Sequence, residues 1–261
     1  MATREKRASL PPALRYPPRV RDLLLGIARC RNIDRARCSS SHPCHAIVTS
    51  QVTTGEVFQL PEPWNGRLAE APLLFVSSNP TIGTRAEFPR DTWDDEVIED
   101  FFVNRFGEGM KPWTKGGNRA LLADGSHAKA NHFWSSIRKR AVELFERAVV
   151  PGLDYALTEV VRCKSDAEYG VREAAGECAG RYLLPTFEAS EATLIVTLGR
   201  VAEEYLRKIV KFDGPLSSPT MIGGRDRVVA VLPHPNAHEK RTFLNRFDER
   251  DLAELRRRLR A

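Results

Sequence analysis

The sequence predicts an α/β fold, with a mostly parallel four-stranded central sheet held between two layers of helices. Three observations predict it. Four short apolar runs, at 73–77, 155–161, 193–198 and 227–232, are each about one strand long and flanked by turn or polar residues, as expected of strands covered on both faces. Segments with helical spacing separate them, which implies parallel crossovers. Polar, loop-forming residues mark three strand ends: SSNPTIG (77–83), TEVVRC (158–163) and LPHPNAH (232–238). In open sheets of this kind ligands bind beyond the carboxyl ends of the strands.

The elements follow in order. Residues 1–20 carry Pro11, Pro12, Pro17 and Pro18, which break a helix, so they read as a flexible arm. The pattern VRDLLLGIARCRNIDRA (20–36) is helical, and CSSSHPC (38–44) stops it. Leu73–Ser77 is the first buried strand. Residues 81–130 are rich in Gly, Asp and Thr with one short helix, 94–106, and an irregular segment this long is often functional. A helix is expected over 131–149, another over 171–189 that Pro185 could kink, a third over 200–210 and a basic one over 248–260. The organisation is one domain, 21–261, with a cysteine-containing N-terminal segment (21–60) and an insertion (81–130).

The chain has 261 residues, 42% of them hydrophobic, enough for one sizeable core. It has no run of about 18 apolar residues, so no segment can span a bilayer as a helix. The charged, Pro-rich start lacks a secretory apolar stretch, so a cytoplasmic protein is expected. The net charge of +6 suits a polyanionic partner but also an ordinary basic surface. Five cysteines, Cys30, Cys38, Cys44, Cys163 and Cys178, argue against a disulfide framework. Metal ligation or buried thiols remain.

Three motifs carry chemistry. Asn79 lies just beyond the first strand, followed by Pro80, and its amide could orient a water. Taken alone, Asn-Pro is also an ordinary turn. His234, between Pro233 and Pro235, could donate a hydrogen bond to negative charge on a leaving group, or could be a loop histidine with a satisfied partner. NHFW (131–134) opens a helix with an aromatic pair. Phe133 could stack on a base, while Trp134 reads as packing.

In this order, the motifs resemble the uracil-DNA glycosylase superfamily over residues 72–260. SSNPTIG looks like its water-activating motif, with Asn79 where the mismatch-specific and single-strand-selective branches carry a catalytic Asn. NHFW resembles the helix start that supplies the stacking Phe, and TLIVTLGRVAEEYL (193–206) is similar to a strand–turn–helix of the iron–sulfur branch. LPHPNAH looks like the His-Pro-Ser motif, with Asn236 in place of the serine that contacts phosphate. TEVVRC resembles the T-N-x-V-K-C strand, with Glu159 where an Asn reads the edge of uracil. Cys163 and Cys178 match two cluster ligands of the iron–sulfur branch. The other two would come from the N-terminal segment, as Cys38 and Cys44 with Cys30 as the alternative, without the branch's tight C-x-x-C spacing. A structural [4Fe–4S] cluster is thereby implied, with zinc or free thiols as alternatives.

The resemblance implies a monomeric DNA glycosylase that needs no catalytic metal and extrudes its target nucleotide. Asn79 would position the water, His234 would stabilise the departing base, and Pro80, Phe133 and Glu159 would hold it. Asn236, His238, Lys240 and Arg241 would contact DNA. An ionised Glu159 would repel the O4 of uracil but accept from the N4 amino group of cytosine. If buried, it could become protonated and donate toward N3. The expected substrate is therefore a 5-modified cytosine, such as the glucosylated hydroxymethylcytosine of phage DNA, which antiviral members of the superfamily attack. A uracil repair glycosylase is the alternative. A non-catalytic DNA-binding domain with the same fold is a rival, as is a metal-dependent nuclease. The carboxylates the nuclease would need, Asp94, Asp95 and Glu96, read instead as a solvated helix face.

Overall fold

The computed structural model describes residues 16–53, 57–83, 85–237 and 242–260. In chain order the elements are α1 (Pro18–Ala28), α2 (Asn32–Cys38), α3 (His45–Thr53), β1 (Leu73–Ser77), α4 (Asp95–Val103), β2 (Thr114–Lys115), β3 (Arg119–Ala120), α5 (His132–Phe145), β4 (Tyr155–Glu159), α6 (Val171–Glu188), β5 (Leu194–Leu198), α7 (Arg200–Ile209), β6 (Thr220–Ile222), β7 (Arg225–Leu232), α8 (Phe243–Arg246) and α9 (Glu249–Arg258).

The central sheet has the order β4-β1-β5-β7-β6. The four expected strands pair in parallel, and β6 adds a fifth, antiparallel to β7. The four-strand expectation is corrected here. Residues 220–222 are a short edge strand closed onto β7 by Gly223 and Gly224, both at positive φ, and so short a run leaves little apolar pattern to read. Side chains alternate between two cores, as the period of a strand requires. Leu74, Val76, Ala156, Ile195 and Val229 pack with α1–α4, α6 and α7. Leu73, Phe75, Tyr155, Leu157, Val196 and Ala230 pack with α5, α8 and α9. Helices therefore cover both faces of the sheet.

Two more boundaries differ from expectation, while α6 keeps the expected span. Residues 1–15 of the expected arm lie outside the described residues, and 16–20 are not part of an arm: Tyr16 is buried, its hydroxyl donates to the Gly66 carbonyl (3.1 Å), and α1 begins at Pro18. Proline suits that first turn, where no helical N–H is needed. The helix expected over 20–36 is broken between Ala28 and Asn32, which turns Cys30 toward α6. There Tyr182 donates to Cys30 Sγ (3.1 Å). Helix α6 runs unbroken through Pro185.

The insertion is anchored by aromatics. Phe88, Trp93, Phe101, Phe102 and Trp113 pack edge-on or stacked at centroid distances of 5.0–5.9 Å. Buried Asp100 accepts from Trp113 Nε1 (2.7 Å) and from the Met110 N–H (2.8 Å). These contacts knit the insertion together, and Lys164 Nζ, 3.7 Å from the Phe88 ring centroid, ties it to the segment after β4. Among the described residues, no helix is long and apolar enough to cross a membrane.

Candidate functional site

The chain leaves β1 for β4 on one side and then crosses to β5 on the other, so β1 sits at a switch point of the sheet. Crevices form at such points. A cavity of about 230 Å³ opens there, lined by Asn79, Pro80, Phe133, Glu159, His234 and Asn236. Six of the residues singled out in the sequence, from four separate segments, thus meet in one place. His238, Lys240 and Arg241 lie outside the described residues.

Backbone pairing explains the meeting. Beyond the strands, β1 and β4 stay zipped: Val160 N–H donates to Ser77 O and Val161 N–H to Ser78 O, both at 2.9 Å. Ser165 N–H then donates to Pro80 O at 3.2 Å. Asn79 Nδ2 donates to Pro80 O (3.0 Å) and to Ser165 Oγ (2.9 Å). With its nitrogen engaged twice, the amide presents Oδ1 as its acceptor.

His234 lies beyond β7, half-buried. Its Nδ1 accepts from the Asn236 N–H (3.3 Å). Burial holds the imidazole below its ordinary pKa, against an opposing pull from Glu168. The neutral ring therefore carries its proton on Nε2 and can donate from there. Gly199, at φ +87°, lets this loop approach, since a Cβ would lie 3.2 Å from His234 Cβ. Asn131 caps α5, accepting from the Trp134 N–H (3.1 Å). That cap sets Phe133 in the first turn, its ring stacked on His234 at 5.6 Å and 21°. Trp134 packs edge-on against Phe106 (5.4 Å), as expected of a packing residue.

The inner wall holds charged groups that the sequence did not single out: Glu62, Arg105 and Lys164, with Gln59 beside them. All four are buried. Glu62 lies 3.5 Å from Lys164 Nζ and 3.8 Å from Arg105 Nη1, and accepts from Asn65 Nδ2. The Arg105 contact is an ion pair too long for a hydrogen bond. Arg105 also sits over Phe101 (4.4 Å), Trp134 (5.0 Å) and Phe88 (5.3 Å). Burial pushes Glu159 up to about 8, helped by the charge of Glu62. Burial lowers Lys164 to about 8, opposed by Glu62. Gln59 Oε1, Arg105 Nη1 and Glu159 Oε2 are buried without a hydrogen-bond partner. Buried polar atoms are rarely left so, and three of them line one cavity. Gln59, Glu62, Arg105 and Lys164 lie in no helix or strand and in none of the motifs read from the sequence, which is why spacing alone did not reveal them.

An open groove of about 850 Å³ shares Asn79, Thr81, His234 and Asn236 with this cavity. The N-termini of α6 and α7 border it, with exposed Arg172 and Arg200 beside Glu168 and Glu173. Its rim contains two non-glycine residues at positive φ, Ala167 (47°) and Glu168 (59°). Ser78 Oγ donates to Glu168 (2.5 Å) and ties that turn to β1.

A separate, smaller cavity is lined by Cys30, Cys44, Cys163 and Cys178, with Tyr182, Val161 and Arg162. Cys38 is exposed at the end of α2 and is not among the lining residues. Of the expected ligand set, the alternative Cys30 takes its place, because the break after α1 turns residue 30 inward. Burial pushes Cys44 up to about 12, Cys178 up to about 11 and Cys163 well above the ordinary thiol value. Among the described residues, no three His, Cys, Asp or Glu side chains are arranged to hold a metal ion.

Compared with known proteins, the sequence matches no family model, and no curated protein matches it significantly.

Proposed function

We propose that the chain is a DNA glycosylase that hydrolyses the bond between a flipped-out pyrimidine and its deoxyribose. One observation carries the reading. Asn79, Phe133, Glu159 and His234, from four segments, line one cavity at the carboxyl end of the sheet, and an open groove leads into it. A base held in the cavity would stack on Phe133. Asn79 Oδ1 would accept from a water and aim it at C1′, and His234 Nε2–H would donate to charge developing on the departing base. The groove would take the DNA strand. Arg172, Arg200 and the α6 and α7 N-termini are suited to phosphates.

The raised pKa of Glu159 changes the reading of the base. A neutral carboxyl presents one donor and one acceptor, so it can pair with the N3 and N4–H of cytosine or with the N3–H and O4 of uracil. What favours cytosine is proton transfer: a neutral acid can protonate N3 as the base leaves. We propose a 5-modified cytosine, such as glucosylated hydroxymethylcytosine in phage DNA, as substrate, in antiviral defence. Insertion residues Gly83, Ala86, Phe88, Arg105 and Ala120 line the cavity and would meet the 5-substituent. The same neutral carboxyl favours uracil excision in repair as the second reading.

The cysteine cavity fits a cluster in one respect. Four cysteines line a single small space, as ligation of a cluster by four thiolates would require. Cys30, Cys44, Cys163 and Cys178 would hold it, and its chemistry would be structural.

The deciding experiment incubates the protein with uracil-DNA, hypoxanthine-DNA and phage DNA carrying modified cytosine, followed by alkali to break abasic sites. Strand breaks in the modified-cytosine DNA are expected. Breaks in uracil-DNA alone would assign the enzyme to repair, and no breaks in any substrate would remove the glycosylase reading.

A further inference from the structure

The cavity contains two buried carboxyls with unlike surroundings. Glu62 faces three donors: Asn65 Nδ2, Lys164 Nζ at 3.5 Å and Arg105 Nη1 at 3.8 Å. A carboxylate so placed stays ionised. Glu159 ends β4 beside Ser77 in the register of β1. Its Oε2 is buried without a hydrogen-bond partner, and no ion pair within 4.0 Å reaches it among the described residues. Neighbouring cations are turned elsewhere. Arg162 Nη1 donates to Pro63 O (2.6 Å) and Nη2 to Thr186 Oγ1 (2.9 Å). Lys164 Nζ donates to Thr81 O (3.1 Å) and faces Glu62. Arg105 lies against its aromatic neighbours. His234, the remaining titratable group of the cavity, is held neutral by burial.

We propose that Glu62, fixed as an anion by Asn65, Lys164 and Arg105, is a positioning residue that keeps Glu159 in its neutral acid form. Two like charges in one low-dielectric site cannot both be held without cost. The cations already committed to Glu62 decide which carboxyl is ionised. Glu159 is then the carboxyl of the pair that can give a proton to a base edge. In the reaction its O–H proton passes to N3 of the departing cytosine-type base as the glycosidic electron pair moves onto the ring. The carboxylate so formed is reprotonated from water before the next turnover. This assignment rests on the base-reading role proposed for Glu159, but the pairing of the two carboxyls can be read without DNA.

The test uses the whole protein labelled with ¹³C at the glutamate carboxyls. In the wild type, one resonance, absent in Glu159→Gln, should titrate near pH 8. In Glu62→Gln it should move down by about one to two pH units, because an anion is lost and Lys164 and Arg105 are released toward Glu159. Glu62→Met repeats the measurement if the amide variant does not fold. In a second arm, single-turnover excision from modified-cytosine DNA should fall above about pH 8 in the wild type and at correspondingly lower pH in Glu62→Gln. A Glu159 resonance that titrates in the ordinary carboxyl range, or one unmoved by both Glu62 variants, would overturn the proposal. The expected titrations with no excision of any substrate would uphold the pair while removing the glycosylase reading.

Discussion

The segment from Glu159 to Lys164 lines two cavities of opposite character. Glu159 and Lys164 face the larger one, where charged groups are paired and three polar atoms have no hydrogen-bond partner. Val161, Arg162 and Cys163 face the smaller one, where four thiols sit among apolar walls and burial pushes at least three of them toward the protonated form. A cavity with paired charges and spare donors and acceptors is prepared for a polar ligand that comes and goes. A cavity of neutral thiols is either a small apolar core or a site whose thiolates form only when a metal group replaces their protons. The difference shows how six consecutive residues at a strand end can border two cavities of opposite polarity.

The sharpest way to break that division is to remove the acceptor from the polar cavity. Asn79→Ala should slow single-turnover excision by about 10²–10³-fold, as loss of one transition-state contact does. DNA affinity should change far less, because phosphate contacts dominate binding. Gel-shift and cleavage assays on one preparation separate the two, and full activity would move the reaction centre elsewhere.

The thiol cavity is tested next. Anaerobically purified protein should be brown, and Cys163→Ser and Cys178→Ser should each bleach it and lower solubility. Cys38→Ser should leave the colour intact, since Cys38 is exposed and outside the cavity. A colourless wild type, free of iron and zinc by elemental analysis, would make the four thiols core residues.

The smallest effect belongs to the groove that joins the polar cavity to solvent. Arg200→Ala or Arg172→Ala should weaken DNA binding by a few-fold, with little dependence on sequence. Each should reduce the slope of log K against log salt by about 1. Unchanged slopes in both variants would place the DNA on another face.

Much of this architecture was legible beforehand. Buried strands carry short unbroken apolar runs, so the four parallel strands were readable, as was the clustering of chemistry at their ends. Asn79, Phe133, Glu159, His234 and Asn236 were readable because each lies in a short motif beside a periodic element. The three-residue strand at 220–222 was not, nor was the break that exchanged Cys38 for Cys30, because a one-turn displacement leaves almost no trace in periodicity.

What the chain determines by itself is the alternation of elements and the identity of the groups at the strand ends, since local propensity and burial pattern act over a few residues. What only tertiary structure decided is which buried charges meet. Glu62, Arg105 and Lys164 are 43 and 59 positions apart along the chain, and the proton on Glu159 depends on all three. Desolvation and Coulomb interactions act through space rather than along sequence, so the carboxyl held neutral became visible only once the loop, the insertion and β4 had been folded together.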